Sequence, residues 1–119
     1  MKTVIIGSGR GSNAEAIILA QLSQLLGNAE VQAIFSDNED SGIMQIARNN
    51  NIEAHYLDGG LFKSKLDDKA EEVWIDAIMK LQPDLIALAG FMRVLKPAFL
   101  RAFKDMIVNL HPSLLPSFK

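Results

Sequence analysis

An α/β fold, built on an open and mostly parallel sheet with helices on both faces, is predicted by three features of the sequence. Five short apolar stretches, near residues 2–6, 31–35, 53–57, 85–89 and 106–110, have strand length and strand composition. Between them lie stretches whose apolar residues recur at three and four, one face of a helix. Strand and helix therefore alternate, and that order produces parallel strands joined by crossover connections.

The first strand, Lys2 to Ile6, contains Thr3, Val4, Ile5 and Ile6, all β-branched. It runs into Gly7-Ser8-Gly9-Arg10-Gly11-Ser12-Asn13. Ser12 and Glu15 have the spacing of a capping box, and Ala14, Ile17, Ile18, Leu22, Leu25 and Leu26 form the apolar face of the helix behind it. Gly27-Asn28 ends that helix. Strand, glycine-rich turn and helix N-terminus together make an anion-binding geometry, because backbone N–H groups and the helix dipole face one point. The glycine spacing is neither that of the phosphate loop ending in Gly-Lys-Ser/Thr nor that of the dinucleotide fingerprint, whose third glycine would fall at Ser12. The next strand, Val31 to Phe35, ends in Ser36 and not in an acid. A phosphate on a small substrate suits this loop better than a nicotinamide cofactor; the other reading is a tight turn with a helix cap.

A polar loop, Ser36 to Ser41, leads to a short helix marked by Ile43, Ile46 and Ala47, which runs out in Asn49-Asn50-Asn51. Glu53 to Leu57 is a weaker strand that carries Glu53 and His55, and is expected near an edge, with His55 structural or solvated. Asp58-Gly59-Gly60 reads as a turn. Ser64 then caps a long helix, with Asp67 as its acidic partner. Its apolar face is Leu66, Ala70, Val73, Trp74, Ala77, Ile78 and Leu81, so Trp74 belongs to the core. The acids Asp67, Asp68, Glu71 and Glu72 are expected mostly on the solvent face and at the dipole-favoured end; no histidine joins them, which argues against a metal site.

Gln82-Pro83 ends this helix, and Leu85 to Ala89 follows as a central strand, apolar on both faces. Gly90-Phe91-Met92-Arg93-Val94-Leu95 is a largely apolar loop, of the kind that lines a pocket for a flat ligand or anchors another segment. Pro97 starts a short helix through Phe99, Leu100 and Phe103. The last strand, expected to be fully buried, is Met106-Ile107-Val108-Asn109-Leu110, which continues into His111-Pro112-Ser113. Asn109 and His111 are two apart, so on a strand they share one side. This pair either closes a turn or belongs to a site. Ser8, Ser12 and Ser113 do not sit in a nucleophile elbow, so His111 reads as a proton handler and not as part of a hydrolase triad.

Composition narrows the classes further. Hydrophobic residues are 49% and charged residues 22% of 119, a balance suited to one globular domain. The net charge is −2 and no two Lys or Arg are adjacent, which does not indicate nucleic-acid binding. There is no Cys, hence no disulfide, thiolate nucleophile or cysteine metal site. The N-terminus reads as a strand and not as a secretory signal, and no apolar run is long enough to span a membrane, so the expected location is the cytoplasm. In a parallel sheet the loops at residues 8–13, 90–95 and 109–113 meet at the carboxyl edge, where an anion site, an apolar slot and the Asn/His pair converge.

Three of these segments resemble the glycinamide ribonucleotide transformylases, a family of folate-dependent formyltransferases. They are Ser8-Gly9-Arg10-Gly11-Ser12-Asn13, Leu88-Ala89-Gly90-Phe91-Met92-Arg93-Val94-Leu95, and Asn109-Leu110-His111-Pro112-Ser113-Leu114-Leu115-Pro116. The resemblance implies a Rossmann-like formyltransferase fold. It also implies transfer of a formyl group from 10-formyltetrahydrofolate, as co-substrate and without a metal, to the amine of glycinamide ribonucleotide in de novo purine synthesis. By the same resemblance Gly11, Ser12 and Asn13 grip the substrate phosphate. Met92, Arg93, Val94 and Leu95 line the folate pocket, Asn109 contacts the formyl group, and His111 is the catalytic acid. Lys65 falls where the family often has an arginine near the folate, keeping the charge but losing the bidentate fork. Expected partners are glycinamide ribonucleotide and folate, with no nucleic acid and no membrane, and a homodimer stays open.

Family members continue beyond the position of Ser117-Phe118-Lys119 with the rest of the sheet, a catalytic aspartate and further ligand contacts. Residues 1–119 are therefore expected to be a single N-terminal formyltransferase domain, truncated after the His-Pro-Ser-Leu-Leu-Pro motif, with doubtful activity alone and an exposed apolar edge near Met106 to Leu110 and near Phe91. The rival readings are a 10-formyltetrahydrofolate hydrolase, another folate formyltransferase such as that for methionyl-tRNA, and a catalytically incomplete fragment of the fold.

Overall fold

In the computed structural model, residues 2–8, 30–49, 51–62, 64–91 and 93–110 are described. The expected helix at 14–26, the residues Gly11, Ser12, Asn13, Met92 and His111, and the Pro112-Ser113 continuation lie outside them. Five strands form one sheet, β1 (Lys2–Gly7), β2 (Glu30–Ser36), β3 (Glu53–Tyr56), β4 (Leu85–Ala89) and β5 (Ile107–Leu110). The order is β3-β2-β1-β4-β5, and every pairing is parallel. Among the described residues the helices are α1 (Gly42–Asn49), α2 (Asp68–Met79) and α3 (Pro97–Ala102).

The two-residue period of the strands divides the core into two layers. Val4 and Ile6 of β1, Ala33 and Phe35 of β2, and Ile86 of β4 point to one face, where Trp74 and Ile78 of α2 and Phe99 of α3 cover them. Ile5, Ile34, Ala87 and Ala89 point to the other face, against Ile43, Met44 and Ala47 of α1. Helices thus lie on both faces, as the alternation of elements implies. Each fully buried Ile or Val in these layers contributes about 1.5–3 kcal/mol relative to exposure.

Local chemistry starts and stops the helices. Ser41 begins α1, its Oγ accepting from the Met44 N–H at 3.3 Å. The helix ends in a Schellman arrangement, with Ile52 N–H donating to the Ala47 carbonyl, Asn51 N–H to that of Arg48, and Asn51 at φ 57°. The cap of α2 corrects the sequence reading. Asp67, not Ser64, is the N-cap, and its carboxylate accepts from the Ala70 N–H at 2.7 Å. Ser64 is unavailable because its carbonyl accepts from the Val94 N–H at 2.7 Å, while Lys65 and Val94 form an isolated parallel bridge. That pairing keeps residues 64–66 extended, so the helix starts later.

One further expectation on α2 needs correction, since Val73 is about half exposed. Of the acids, Asp68 and Glu72 are exposed as expected, and Glu71 is the one that is buried. The helix rests on both the sheet and α3, which turns its covered stripe toward Ala70, Glu71, Trp74 and Ile78. The expectation of a fully buried β5 also fails, since Val108 and Asn109 are exposed. Among the described residues β5 is hydrogen-bonded to β4 only, so it lies at a sheet edge. At the opposite edge lies β3, as its short polar sequence predicts. There the ring of His55 stacks on Phe35 with centroids 4.7 Å apart, and its Nε2 is 3.0 Å from Glu53 Oε1, a structural use of the histidine.

Candidate functional site

The sheet order places a topological switch between β1 and β4. From β1 the chain moves outward to β2 and β3, then returns to the other side of β1 as β4. Loops leaving the carboxyl ends at such a point diverge, and open α/β sheets bind ligands in the crevice between them. Here the first residues past the two strands are joined, Ser8 N–H donating to the Gly90 carbonyl at 3.3 Å. Gly7 makes this approach feasible, because a Cβ there would stand 2.5 Å from the Ala89 carbonyl oxygen.

Further along the same rim, Arg93 occupies the middle of a three-loop junction. Its Nε donates to Asp37 Oδ2 at 2.6 Å, across 56 residues of sequence. Its Nη1 faces the carbonyls of Gly59 at 3.3 Å, Lys65 at 3.1 Å and Phe62. The two ionic side chains are only 12% and 8% exposed. Asp37 is the residue that the sequence reading missed. The strand ends in Ser36 as the sequence predicts, and Asp37 is the first residue of the loop beyond it, with its Oδ2 committed to Arg93. The available signal was a single Asp in a polar loop, which carries no indication of a partner so distant in sequence.

The sequence-derived candidates that are described divide into two groups. Lys65, Arg93, Val94 and Leu95 are brought together by the Lys65–Val94 bridge and by the Arg93 contact to the Lys65 carbonyl. Val94 is 67% exposed, whereas Leu95 packs on the core layer that also holds Trp74. Lys65 is exposed, with its Nζ 4.9 Å from the centroid of the Phe62 ring. Phe91 lies on Trp74 with ring centroids 5.5 Å apart, so the core indole supports the start of this loop. Asn109 is exposed on β5 and in register with Leu88 of β4, one residue short of the carboxyl ends of both strands.

Charge around the start of α2 is organised by hydrogen bonds. The N–H of Ala70, and next that of Leu61, hold the Asp67 carboxyl below its ordinary value. A hydrogen bond from Lys96 does the same for Asp68, and the same contact at 2.5 Å raises Lys96. Lys96 Nζ also stands 4.0 Å from Glu71 Oε1, while Glu71 Oε2 is buried without a partner among the described residues. No group of three or more His, Asp or Glu among the described residues is placed to hold a metal ion, and no described helix is long and apolar enough to cross a membrane.

Residues 1–119 match the family described as formyl transferase. The chain is 38% identical over 118 residues to the phosphoribosylglycinamide formyltransferase of Escherichia coli, covering 99% of this chain and 54% of that protein. It is 33% identical to the enzyme of the same name from Bacillus subtilis, over 98% of this chain and 58% of the relative. Among solved structures, the phosphoribosylglycinamide formyltransferase of Coxiella burnetii superposes with a TM-score of 0.77 at 34% identity, covering 98% of this chain and 53% of that one. The chain thus spans about half the length of the curated relatives it matches.

Proposed function

The chain belongs to the formyl transferase family, and from that premise we propose that it forms part of an enzyme carrying a formyl group from 10-formyltetrahydrofolate to the amine of glycinamide ribonucleotide. One observation carries the reading: the near full-chain similarity to phosphoribosylglycinamide formyltransferases falls on a sheet whose switch point lies between β1 and β4. The described ends of the three motifs support the reading: Ser8 follows β1, Gly90 follows β4, and Asn109 lies near the end of β5 in the same parallel sheet.

In this reading Gly11, Ser12 and Asn13 hold the substrate phosphate through backbone N–H groups at the start of a helix. Lys65 and residues 92–95 border the folate. The attacking amine adds to the formyl carbon, and negative charge grows on the formyl oxygen. A donor aimed at that oxygen lowers the barrier more than one that merely binds the ground state. Asn109 supplies an amide N–H, and His111, two residues on, supplies a ring N–H and passes a proton toward the leaving folate nitrogen. An unperturbed histidine, with a pKa of about 6.5, is only partly charged near neutrality, so a carboxylate beside it would raise the competent fraction.

Titration with glycinamide ribonucleotide tests the phosphate assignment directly. The amide signals of Gly11, Ser12 and Asn13 are expected to move first; movement confined to distant residues would refute it. Product analysis with glycinamide ribonucleotide or water as acceptor separates transferase from hydrolase. Sedimentation of the free chain decides the homodimer.

A further inference from the structure

Arg93 stands in the segment proposed to border the folate, yet its guanidinium is turned onto protein groups. It bonds Asp37 from the loop after β2 and three carbonyls from the loop after β3, and itself belongs to the loop after β4. Gly59 leaves the passage open, since a Cβ at that position would overlap the guanidinium. Asp37 Oδ1 is buried with no hydrogen-bond partner among the described residues, so the ion pair is incompletely satisfied. A desolvated and half-satisfied pair is a poor device for stability, because its attraction barely offsets the loss of hydration. What it does well is select one arrangement of the loops it joins.

We infer that Asp37 is a positioning residue for the formyl donor, acting through Arg93 to hold residues 93–95 against Gly59, Phe62 and Lys65. The inference rests on the folate reading above and adds a residue which that reading does not use. Without the carboxylate, Arg93 keeps its carbonyl partners but loses its charged partner in the loop after β2, and the loops no longer share one fixed frame. Binding of a flat ring system then requires ordering the wall first, which weakens affinity without removing any direct contact. Ser8, the described residue of the loop after β1, meets the loop after β4 at the Gly90 carbonyl, three residues before Arg93.

The test compares Asp37→Asn with Ile78→Val, a core substitution in α2. Three readouts are used: melting temperature, amide hydrogen exchange without ligand, and calorimetric binding of tetrahydrofolate and of glycinamide ribonucleotide separately. Asp37→Asn is expected to speed exchange at Leu61 and Val94 while β1 and β4 stay protected. It should weaken tetrahydrofolate about tenfold, with glycinamide ribonucleotide changed by no more than about twofold. Ile78→Val should lower the melting temperature and leave both affinities as they are. Unaltered exchange in the two loops of Asp37→Asn overturns the inference, whatever the ligands do. So does a parallel loss of both ligands that follows melting temperature. Absence of tetrahydrofolate binding by the unsubstituted chain refutes the folate assignment instead, and is recognised before any variant is made.

Discussion

The N–H of Ser8 donates to the carbonyl of Gly90 at 3.3 Å, tying the first residue beyond β1 to the first residue beyond β4. This bond spans the point where the strand order reverses, so it sets how far apart the two loops of the crevice begin.

Gly7→Ala should therefore disturb the crevice at its floor. The new methyl would meet the Ala89 carbonyl oxygen at 2.5 Å and the end of Ile43 at 3.0 Å. Backbone cannot yield as a side-chain tip does, so the two strands must separate. A loss of about 1–3 kcal/mol is expected, read from urea unfolding, with faster exchange at the Ser8 amide.

Trp74→Phe separates the two uses of the indole. Trp74 is fully buried between Phe35 and Phe91, and its Nε1 donates to the Asp58 carbonyl at 3.0 Å. Phenylalanine keeps the ring contacts but drops the hydrogen bond and some volume. A destabilisation of about 1–3 kcal/mol is expected from the two losses together, measured by thermal unfolding followed by circular dichroism, because the only tryptophan reporter is gone.

Acid should weaken the start of α2 in a defined direction. Asp67 is held below its ordinary value by the N–H groups of Ala70 and Leu61. A depressed carboxylate contributes stability that is present above its unfolded pKa, about 3.9, and is lost as pH falls through the lower folded value. Melting temperature against pH should fall in that acid window, and Asp67→Asn should flatten this part of the curve. Lys96 has the opposite sign. Its raised value gives stability that is complete below the unfolded lysine pKa, about 10.4, and lost as pH rises through the folded one. Lys96→Met should remove that alkaline component.

For catalysis, His111→Ala is the decisive substitution. In a polypeptide that extends this sequence to the length of its relatives, turnover should drop by roughly 10²–10⁴-fold with binding of both substrates nearly unchanged. Single-turnover kinetics together with calorimetry checks it, and near-normal turnover would remove His111 from the mechanism.

What the sequence determined by itself were the features that depend on neighbours along the chain. The β-branched run Thr3 to Ile6 specifies a strand, and its period of two assigns Val4 and Ile6 to one layer and Ile5 to the other. The polar composition of Glu53 to Tyr56 already marks an edge, and Pro97 marks a helix start. Tertiary structure decided whatever depends on competition between distant groups. Asp67 caps α2 because Ser64 gives its carbonyl to Val94, and Glu71 is buried because α3 packs beside it. Arg93 finds Asp37 across 56 residues only once β1 has paired with β2 on one side and β4 on the other. Local periodicity records which face an element buries, since that follows from backbone geometry. It holds no record of which donor meets which acceptor at the rim, because that pairing exists only after the sheet has brought the loops together.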